Sequence, residues 1–276
     1  LVLDGLDAAA DAVKADKVYL YLHAKAMPAA AKALDERRAA GLDRHAVSLI
    51  EAPDTFVAGE ESAAIRHVEG GPALPRDRTV IAAVSGVRGR PTLVNNVETL
   101  AHIGLLARYG PDWFRSVGDE ADPGSMLVTL SGALADTGVT EVATGASLTG
   151  LITQSGGTDL RAILIGGYHG TWIPAGALEG LTLSRTSLKS VGASPGAGII
   201  HALGVDECGL ARTAEIADYL AGESARQCGP CRNGLPRLAQ LLGDLAHGRV
   251  DDAVVKEIRR VTRLVDGRGS CRHPDG

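Results

Sequence analysis

The spacing of apolar positions alternates between two periods in the first part of the chain. Residues 3–13 carry apolar side chains at the spacing of an amphipathic helix, whereas 18–22 form a continuous apolar run of strand length. An alanine-rich stretch over 29–40 predicts a second helix that ends at Gly41, and 46–50 predict a second strand. This alternation of helices and strands indicates an α/β layer.

A linker over 119–124, reading Asp-Glu-Ala-Asp-Pro-Gly, separates this layer from a region with a different pattern. Strands are predicted at 125–132, 138–142 and 162–167, with a short helix at 146–153 between the second and the third. Two strands, a helix and further strands in that order are typical of a β-grasp domain.

The last part of the chain is predicted to be helical. Residues 184–206 are rich in Gly and Ser and are predicted to be irregular, and helical patterns follow over 213–222, 231–247 and 251–266. We therefore predict a multi-domain protein of class α/β + α. Its predicted parts are an α/β domain, a β-grasp domain, and a linker followed by a helical bundle, at 1–122, 123–183 and 184–276.

Composition narrows the class of protein. Hydrophobic residues make up 45% and charged residues 22% of the chain, with a net charge of −5, as in ordinary globular proteins. The mild acidity argues against a nucleic-acid partner, which usually requires a concentrated basic face. No apolar run is long enough to cross a bilayer, and no secretory leader is recognisable, so a cytoplasmic protein is expected. Because the chain begins at Leu1 without methionine, we treat it as a fragment or a processed form.

Three cysteines carry the clearest chemical signal. Cys228 and Cys231 form a C-x2-C pair, and Cys271 follows the last predicted helix. Four-iron clusters are held by four thiolates, often three in a C-x2-C-x2-C run and one distant. The position three residues before Cys228, where the remaining ligand is expected, is Ala225. The cysteines therefore resemble three quarters of an iron–sulfur site.

Two other interpretations of these cysteines stay open at this point. An intracellular C-x2-C can be a pair of buried or idle thiols. A zinc site built from Cys228, Cys231, Cys271 and His273 is the other alternative. The fourth cysteine, Cys208, is expected to be a buried small residue and not a ligand.

Three ordered motifs give the chain a family resemblance. Residues 223–234 (E-S-A-R-Q-C-G-P-C-R-N-G) resemble the E-S-C-G-x-C-x-P-C-R-E-G signature of the NADH-binding flavoprotein subunit of respiratory complex I, a module also found in NAD-linked hydrogenases and formate dehydrogenases. Residues 59–63 with 68–70 are similar to its G-E-E-T-A-L…L-E-G motif. Residues 89–99 are similar to its G-x-P-T-x-V-N-N-V-E-T motif. Residues 125–175 resemble its β-grasp insert of the soluble-ligand-binding type.

The resemblance implies an electron-transfer function. In the family, NADH gives a hydride to FMN, and the electrons pass singly to a [4Fe–4S] cluster and on to a ferredoxin-like or 2Fe–2S partner subunit. The domain at 1–122 would then be a partial FMN/NADH-binding domain of a soluble subunit peripheral to a membrane complex. No catalytic side chain is assigned. The implied cofactor contacts are Gly59, Glu60, Glu61, Val94, Asn95, Asn96 and Thr99, and the implied cluster ligands are Cys228, Cys231 and Cys271.

Simpler roles exist for two of these motifs. Asn95 and Asn96 can cap a helix without any ligand, and Glu60 and Glu61 can form a solvated helix start.

The sequence departs from the family in two places. Ala225 and Arg226 replace a ligand cysteine and a glycine, and the family's C-A-L-G becomes Cys271-Arg-His-Pro. The family's glycine-rich FMN loop lies upstream of the helix with which Leu3 aligns, so weak or absent FMN binding is expected of residues 1–276 alone. Three outcomes stay open for the cluster: none, a three-iron cluster, or a four-iron cluster with an exogenous or non-cysteine ligand. The alternative function is a degenerate, non-catalytic scaffold or partner-binding protein.

Overall fold

The computed structural model describes residues 1–77, 80–248 and 251–276. Their contacts group into two compact units. Unit 1 combines Leu1–Gly104 with Ala214–Asp275, and unit 2 consists of Leu105–Thr213 together with Gly276. Unit 1 is therefore discontinuous in sequence.

The N-terminal part of unit 1 has the predicted α/β order. The two strands pair in parallel, in a register that aligns Val18 with Val47, as expected when a helix connects them on one side of a sheet. The elements are α1 (Val2–Val13), β1 (Val18–His23), α2 (Met27–Ala39) and β2 (Val47–Ala52).

Two further helices complete this part, α3 (Glu61–Val68) and α4 (Val97–Tyr109). Helices α1 and α4 approach each other through glycine. A Cβ atom added to Gly5 would lie 1.6 Å from the carbonyl oxygen of Leu100, and one added to Gly104 would lie 2.7 Å from that of Leu1. Only residues without a side chain allow this separation of the two backbones.

An ionic network around Arg37 fastens α2 to α1. Its guanidinium pairs with Asp4 and Asp7 on α1, at 2.8 Å for Asp7, and with Asp43 at 3.2 Å in the segment before β2. Asp7 is only 5% exposed. A carboxylate buried this deeply requires a charged, hydrogen-bonded partner.

Unit 2 is built on a five-stranded sheet with the order β6-β5-β9-β7-β8. The central strand β9 is parallel to β5 and antiparallel to β7. The strands of this sheet are β5 (Ser125–Gly132), β6 (Gly138–Ala143), β7 (Leu160–Ile165), β8 (Thr171–Pro174) and β9 (Ile199–Gly204). The remaining elements are α5 (Pro111–Arg115), β3 (Gly118–Asp119), β4 (Asp122–Pro123), α6 (Leu148–Gln154) and α7 (Arg185–Lys189).

The core of unit 2 lies between one face of this sheet and helix α6. Fully buried aliphatic side chains from three strands and from the helix meet there, among them Val128, Ile163, Ile200 and Leu148.

The predicted strands at 125–132, 138–142 and 162–167 and the helix at 146–153 are confirmed within a few residues. The interpretation of 184–206 as irregular is wrong, because it contains both α7 and β9. The glycines and serines around β9 are typical of loops, and the strand forms through hydrogen bonds with β5 and β7, which are distant in sequence.

The C-terminal helices follow the predicted pattern. They are α8 (Gly209–Gly222), α9 (Leu235–Ala246) and α10 (Asp252–Val265), and a π-helical turn over Pro230–Gly234 leads into α9. Helices α9 and α10 share a small core of Leu241, Val261 and Val265. The mixed α/β and helical class is confirmed, while the division at 122 and 183 stays a prediction. Among the helices in the described ranges, none is long and apolar enough to cross a membrane.

Candidate functional site

The three predicted cluster ligands come together at one end of the α9–α10 pair. Cys228 precedes the π-helical turn that contains Cys231, and Cys271 follows α10, which returns to the point where α9 began. Cys231 is 1% and Cys271 6% exposed, whereas Cys228 is half-buried. Cys231 lies within electrostatic range of both other thiols.

Backbone and hydroxyl donors surround the sulfur of Cys228. Burial raises the pKa of this thiol, but hydrogen bonds donated to its Sγ by Cys231 and Ser270 outweigh burial, so the pKa lies below its ordinary value. Each of these two residues donates through both its backbone N–H and its side chain. Such donors stabilise a thiolate, which is the form that binds metal.

Cys231 has the opposite balance. Burial, followed by the nearby charges of Cys228 and Cys271, raises its pKa to about 12, although the backbone N–H of Arg226 donates a hydrogen bond to its Sγ and opposes this shift. A buried thiol whose ionisation is opposed by two neighbouring thiols, as at Cys231, loses its proton when a cation lies between them. The donor set therefore fits an iron–sulfur cluster at three corners.

Residue 225 stands where the family motif carries the fourth ligand, and its side chain has no atom that can bind iron. Ala225 is half-buried, and the next residue, Arg226, has a left-handed backbone with φ of 51°. That conformation favours glycine, which is the residue that the family motif carries there. The backbone thus keeps a glycine-type path although both side chains have changed.

Zinc stays an alternative interpretation of the three thiols. Within the described ranges, no group of three or more His, Cys, Asp or Glu side chains, the three thiols included, is arranged to hold a single metal ion. The Nε2 atom of His273 lies 2.8 Å from the carbonyl oxygen of Leu220 and donates to it, so this nitrogen is not available as a ligand. An iron–sulfur cluster is larger than a single ion, and its thiolates stand further apart than the ligands of one zinc.

The cysteine segment is tied to the N-terminal part of unit 1. Gln227 donates through Nε2 to the carbonyl oxygen of Pro75 at 2.7 Å and accepts at Oε1 from Arg66 at 3.3 Å. Glu223 accepts from the backbone N–H of Phe56 at 2.8 Å. These contacts hold the segment before Cys228 beside the residues that precede and follow α3.

The first predicted flavin motif lies in the loop that follows the carboxyl end of β2, the edge at which α/β sheets bind ligands. Glu60 caps α3, with its carboxylate accepting from the backbone N–H groups of Ser62 at 2.9 Å and Ala63 at 3.1 Å. Glu61 is exposed in the first turn, and a Cβ atom on Gly59 would meet nothing within 4 Å. The helix-start interpretation is therefore correct for Glu60.

The second predicted flavin motif opens α4. Asn96 caps this helix, with its Oδ1 accepting from the backbone N–H of Thr99 at 2.7 Å, and its contact with a flavin stays a prediction. Val94, Asn96 and Thr99 are exposed, and Asn95 is half-buried. Both flavin motifs belong to unit 1, the unit that also contains the three thiols.

Two family models match the chain, one at each end. Residues 1–105 match the Nuo51 FMN-binding domain, and residues 211–276 match the NADH-ubiquinone oxidoreductase-F iron–sulfur binding region. The chain is therefore similar to the NADH-ubiquinone oxidoreductase-F family at both ends. The first match contains all seven predicted flavin contacts, and the second contains all three cysteines of the site.

Individual members of the oxidoreductase-F family resemble the chain over its whole length. It is 27% identical to the F 2 subunit of NADH-quinone oxidoreductase from Rhizobium meliloti and 28% identical to the F subunit of the same enzyme from Streptomyces coelicolor, in both cases over 100% of the chain. These alignments cover 69% and 65% of the relatives, so the chain spans about two thirds of their length.

A solved structure agrees with this assignment. The crystal structure of an NAD+-reducing [NiFe]-hydrogenase in its H2-reduced state superposes with a TM-score of 0.88 at 28% identity, over 99% of this chain and 48% of that one. The fold of the oxidoreductase-F family thus extends over nearly all of the chain, which spans about half of the hydrogenase chain.

One residue of the site was missed, and one cysteine outside the site differs from the prediction. Ser270, which donates to Cys228, was missed, and its position next to Cys271 was the only signal that could have found it. Cys208 is exposed, so its predicted burial is wrong. It lies directly before α8, where the chain has not yet entered the helix.

Proposed function

We propose that the protein is an electron-transfer subunit that passes electrons from NADH through FMN to an iron–sulfur cluster. The observation that carries this proposal is the convergence of three thiols inside the segment that matches the family's iron–sulfur region. The match of residues 1–105 to the FMN-binding domain supports the flavin step. FMN supplies the exchange of two electrons for single ones, and the cluster supplies one-electron storage.

The side chains and backbone of this chain would prepare the cluster site. The N–H groups of Cys231, Ser270 and Arg226 donate to sulfur atoms and would stabilise their negative charge. Burial of Cys231 and Cys271 would keep water from the sulfurs, and hydrogen bonding and burial together set the potential of such a site.

In this proposal the predicted flavin contacts have two kinds of role. Glu60 and Asn96 already accept hydrogen bonds from helix N-termini, so they would shape the loops that approach the flavin. Glu61 and Asn95 would then present their polar groups to the flavin or the nicotinamide nucleotide. Gly59, Val94 and Thr99 would line the same site.

The cluster is tested by anaerobic reconstitution of the 276-residue chain with iron and sulfide. We expect broad visible absorbance together with stoichiometric iron, and loss of both in Cys231→Ser and in Cys271→Ser. The matched control is Cys208→Ser, which removes an exposed thiol outside the site and should retain both signals. Circular dichroism separates loss of iron from loss of folding. A folded protein without iron or colour would contradict the proposal.

The electron acceptor is proposed to be a ferredoxin-like or 2Fe–2S subunit. Relatives named as subunits of NADH-quinone oxidoreductase support an assembly with other chains. The free cysteines fit a reducing, cytoplasmic location on the periphery of such an assembly. Reduction of a plant-type ferredoxin by NADH, measured with the full-length protein, tests this step. Absence of transfer from a protein with loaded FMN and cluster would count against it.

A second candidate function is a non-catalytic scaffold that kept the fold of the family. Ala225 favours it, because a ligand cysteine is lost while the surrounding backbone is kept. A protein that stays colourless and free of iron after reconstitution, yet folds cooperatively, is the result expected for a scaffold.

A further inference from the structure

We propose that the corner at Ala225 and Arg226 leaves one iron of the cluster without a protein ligand and open to a small thiolate from solution. This inference rests on the proposed cluster function. Of the three outcomes that the sequence left open, it selects the four-iron cluster with an exogenous ligand. A site with four cysteines has no iron that could bind such a ligand.

The first observation is that the backbone has not closed the corner. Arg226 keeps a positive φ of 51°, although an arginine is strained in that conformation. Its N–H still donates to the sulfur of Cys231. Gln227 remains bonded to Pro75 and Arg66. The segment thus keeps these connections, and where the family motif carries a cysteine its side chain is the methyl group of Ala225.

The second observation concerns possible substitute ligands from the protein. In the described segments around the three thiols, four polar side chains that could act as ligands make other hydrogen bonds. Glu223 accepts from Phe56, and the hydroxyl of Ser224 donates to the carbonyl oxygen of Ala221 at 2.9 Å. Ser270 donates to Cys228, and His273 donates through Nε2 to Leu220. An oxygen of Glu223, Ser224 or Ser270, or Nε2 of His273, would have to break one of these bonds to reach the fourth corner.

The third observation concerns the solvent exposure and the charge of the segment at residues 225–227. Ala225 is half-buried, and its neighbours Arg226 and Gln227 are exposed, so solvent reaches this edge of the site. By contrast, Cys231 and Cys271 are almost fully buried. Arg226 follows Ala225 directly and adds a positive charge to this exposed segment, which favours an anionic ligand. Since iron in these clusters prefers sulfur donors, a small thiolate satisfies both preferences.

The test compares the wild-type chain with Ala225→Cys, both reconstituted anaerobically. Each is treated with ferricyanide and a chelator, and iron per chain and the electron paramagnetic resonance spectrum are recorded. An unligated corner allows the cluster to lose one electron to ferricyanide and one ferrous ion to the chelator, so that its core charge falls from two plus to one plus. We expect wild type to fall from about four to about three irons and to gain the signal of a three-iron cluster. Ala225→Cys should keep about four.

Ligand binding is tested on the same material. Saturating 2-mercaptoethanol, added beforehand, should protect the fourth iron of wild type and change nothing in Ala225→Cys. Ala225→Val adds volume without sulfur and should lose iron as wild type does. Arg226→Gln should weaken the protection by about two- to fivefold, as expected for one exposed charge.

The two proposals fail in different ways. If wild type and Ala225→Cys hold about four irons equally firmly, the open corner is refuted and the cluster function stands. If the fourth iron of wild type is labile but no thiolate protects it, the ligand assignment is refuted. If neither protein takes up iron although both fold, the cluster function itself is refuted.

Discussion

At the scale of single residues, the segment before the cysteine pair combines a preserved backbone with altered side chains. Arg226 has a φ of 51°, which lies in the left-handed region that glycine adopts most easily. A side chain in this conformation costs about 1–2 kcal/mol relative to glycine. The turn persists because the two hydrogen bonds of Gln227 hold the next residue in place.

Arg226→Gly should therefore stabilise the protein, by about 1 kcal/mol. The reason is that glycine adopts the left-handed conformation without a steric penalty. Urea denaturation followed by circular dichroism measures the difference. Arg259→Gly is the matched control, because Arg259 is exposed in the interior of α10 and its replacement should destabilise by about 1 kcal/mol. A loss of stability in both variants would show that the turn at 226 is not strained.

At the scale of elements, two local interactions hold helices of unit 1 together: a close glycine contact and an ionic network. The glycine contact joins α1 to α4 at a separation that excludes any side chain at Gly5. The ionic network joins α2 to α1 and to the segment before β2 through Arg37. Each interaction can be broken by one substitution.

Gly5→Ala should destabilise the protein by about 1–3 kcal/mol, because its methyl group would overlap the carbonyl of Leu100 and push α1 away from α4. The control is Gly243→Ala in α9, where a Cβ atom would meet nothing within 4 Å. That change should stabilise by about 0.5–1 kcal/mol, since alanine is the better helix former. Midpoints of urea denaturation compare the two, and equal shifts would contradict the close approach.

Arg37→Leu should cost about 3–5 kcal/mol at neutral pH, because the carboxylate of Asp7 stays buried without its partner. The hydrogen bond from Arg37 also holds the pKa of Asp4 below its ordinary value of 3.8. The stabilisation from Asp4 is therefore present above pH 3.8 and is lost as the pH falls through the lowered value.

The difference in unfolding free energy between wild type and Arg37→Leu should thus shrink in strong acid. Denaturation at neutral pH and at pH values below 3.8 measures it. Lys32→Ala serves as control, because the pair of Lys32 with Glu36 is exposed and spans 3.7 Å. This change should cost less than about 0.5 kcal/mol. A penalty for Arg37→Leu that does not change with pH would exclude the role assigned to Asp4.

At the scale of the whole molecule, local pattern predicted most elements, and long-range pairing decided the rest. Strand β1 could be predicted because its apolar side chains are consecutive, and β2 because Val47, Leu49 and Ile50 lie close together in sequence. Strand β9 was not readable, because its place in the sheet depends on pairing with Thr129 and Ile163, far away in sequence.

The candidate site was predictable to a similar extent. The cysteines could be expected to meet once two helices separated them, since antiparallel helices return the chain to its starting point. The donors from Ser270 and the anchoring of Gln227 by Pro75 could not be foreseen. Both depend on backbone groups whose positions only the folded chain defines.

Unit 2 should fold by itself when residues 105–213 are expressed alone. It has its own five-stranded sheet and a continuous aliphatic core, and sheets of three or more strands with such a core can be stable independently. A dispersed amide spectrum in nuclear magnetic resonance and a cooperative thermal transition are the expected results. Residues 1–104 alone should give neither, because they lack the segment 214–275 with which they form unit 1. A folded 1–104 fragment would contradict the grouping.

The interrupted course of unit 1 has a consequence during biosynthesis. The ribosome releases residues 1–104 first, but their complement at 214–275 emerges only after all of residues 105–213 have been translated. Domains generally mature in the order of their synthesis, whereas residues 1–104 remain without the rest of unit 1 until a later segment has been translated and can fold ahead of them. Chaperone dependence and iron loading would both be set by the arrival of the final helices.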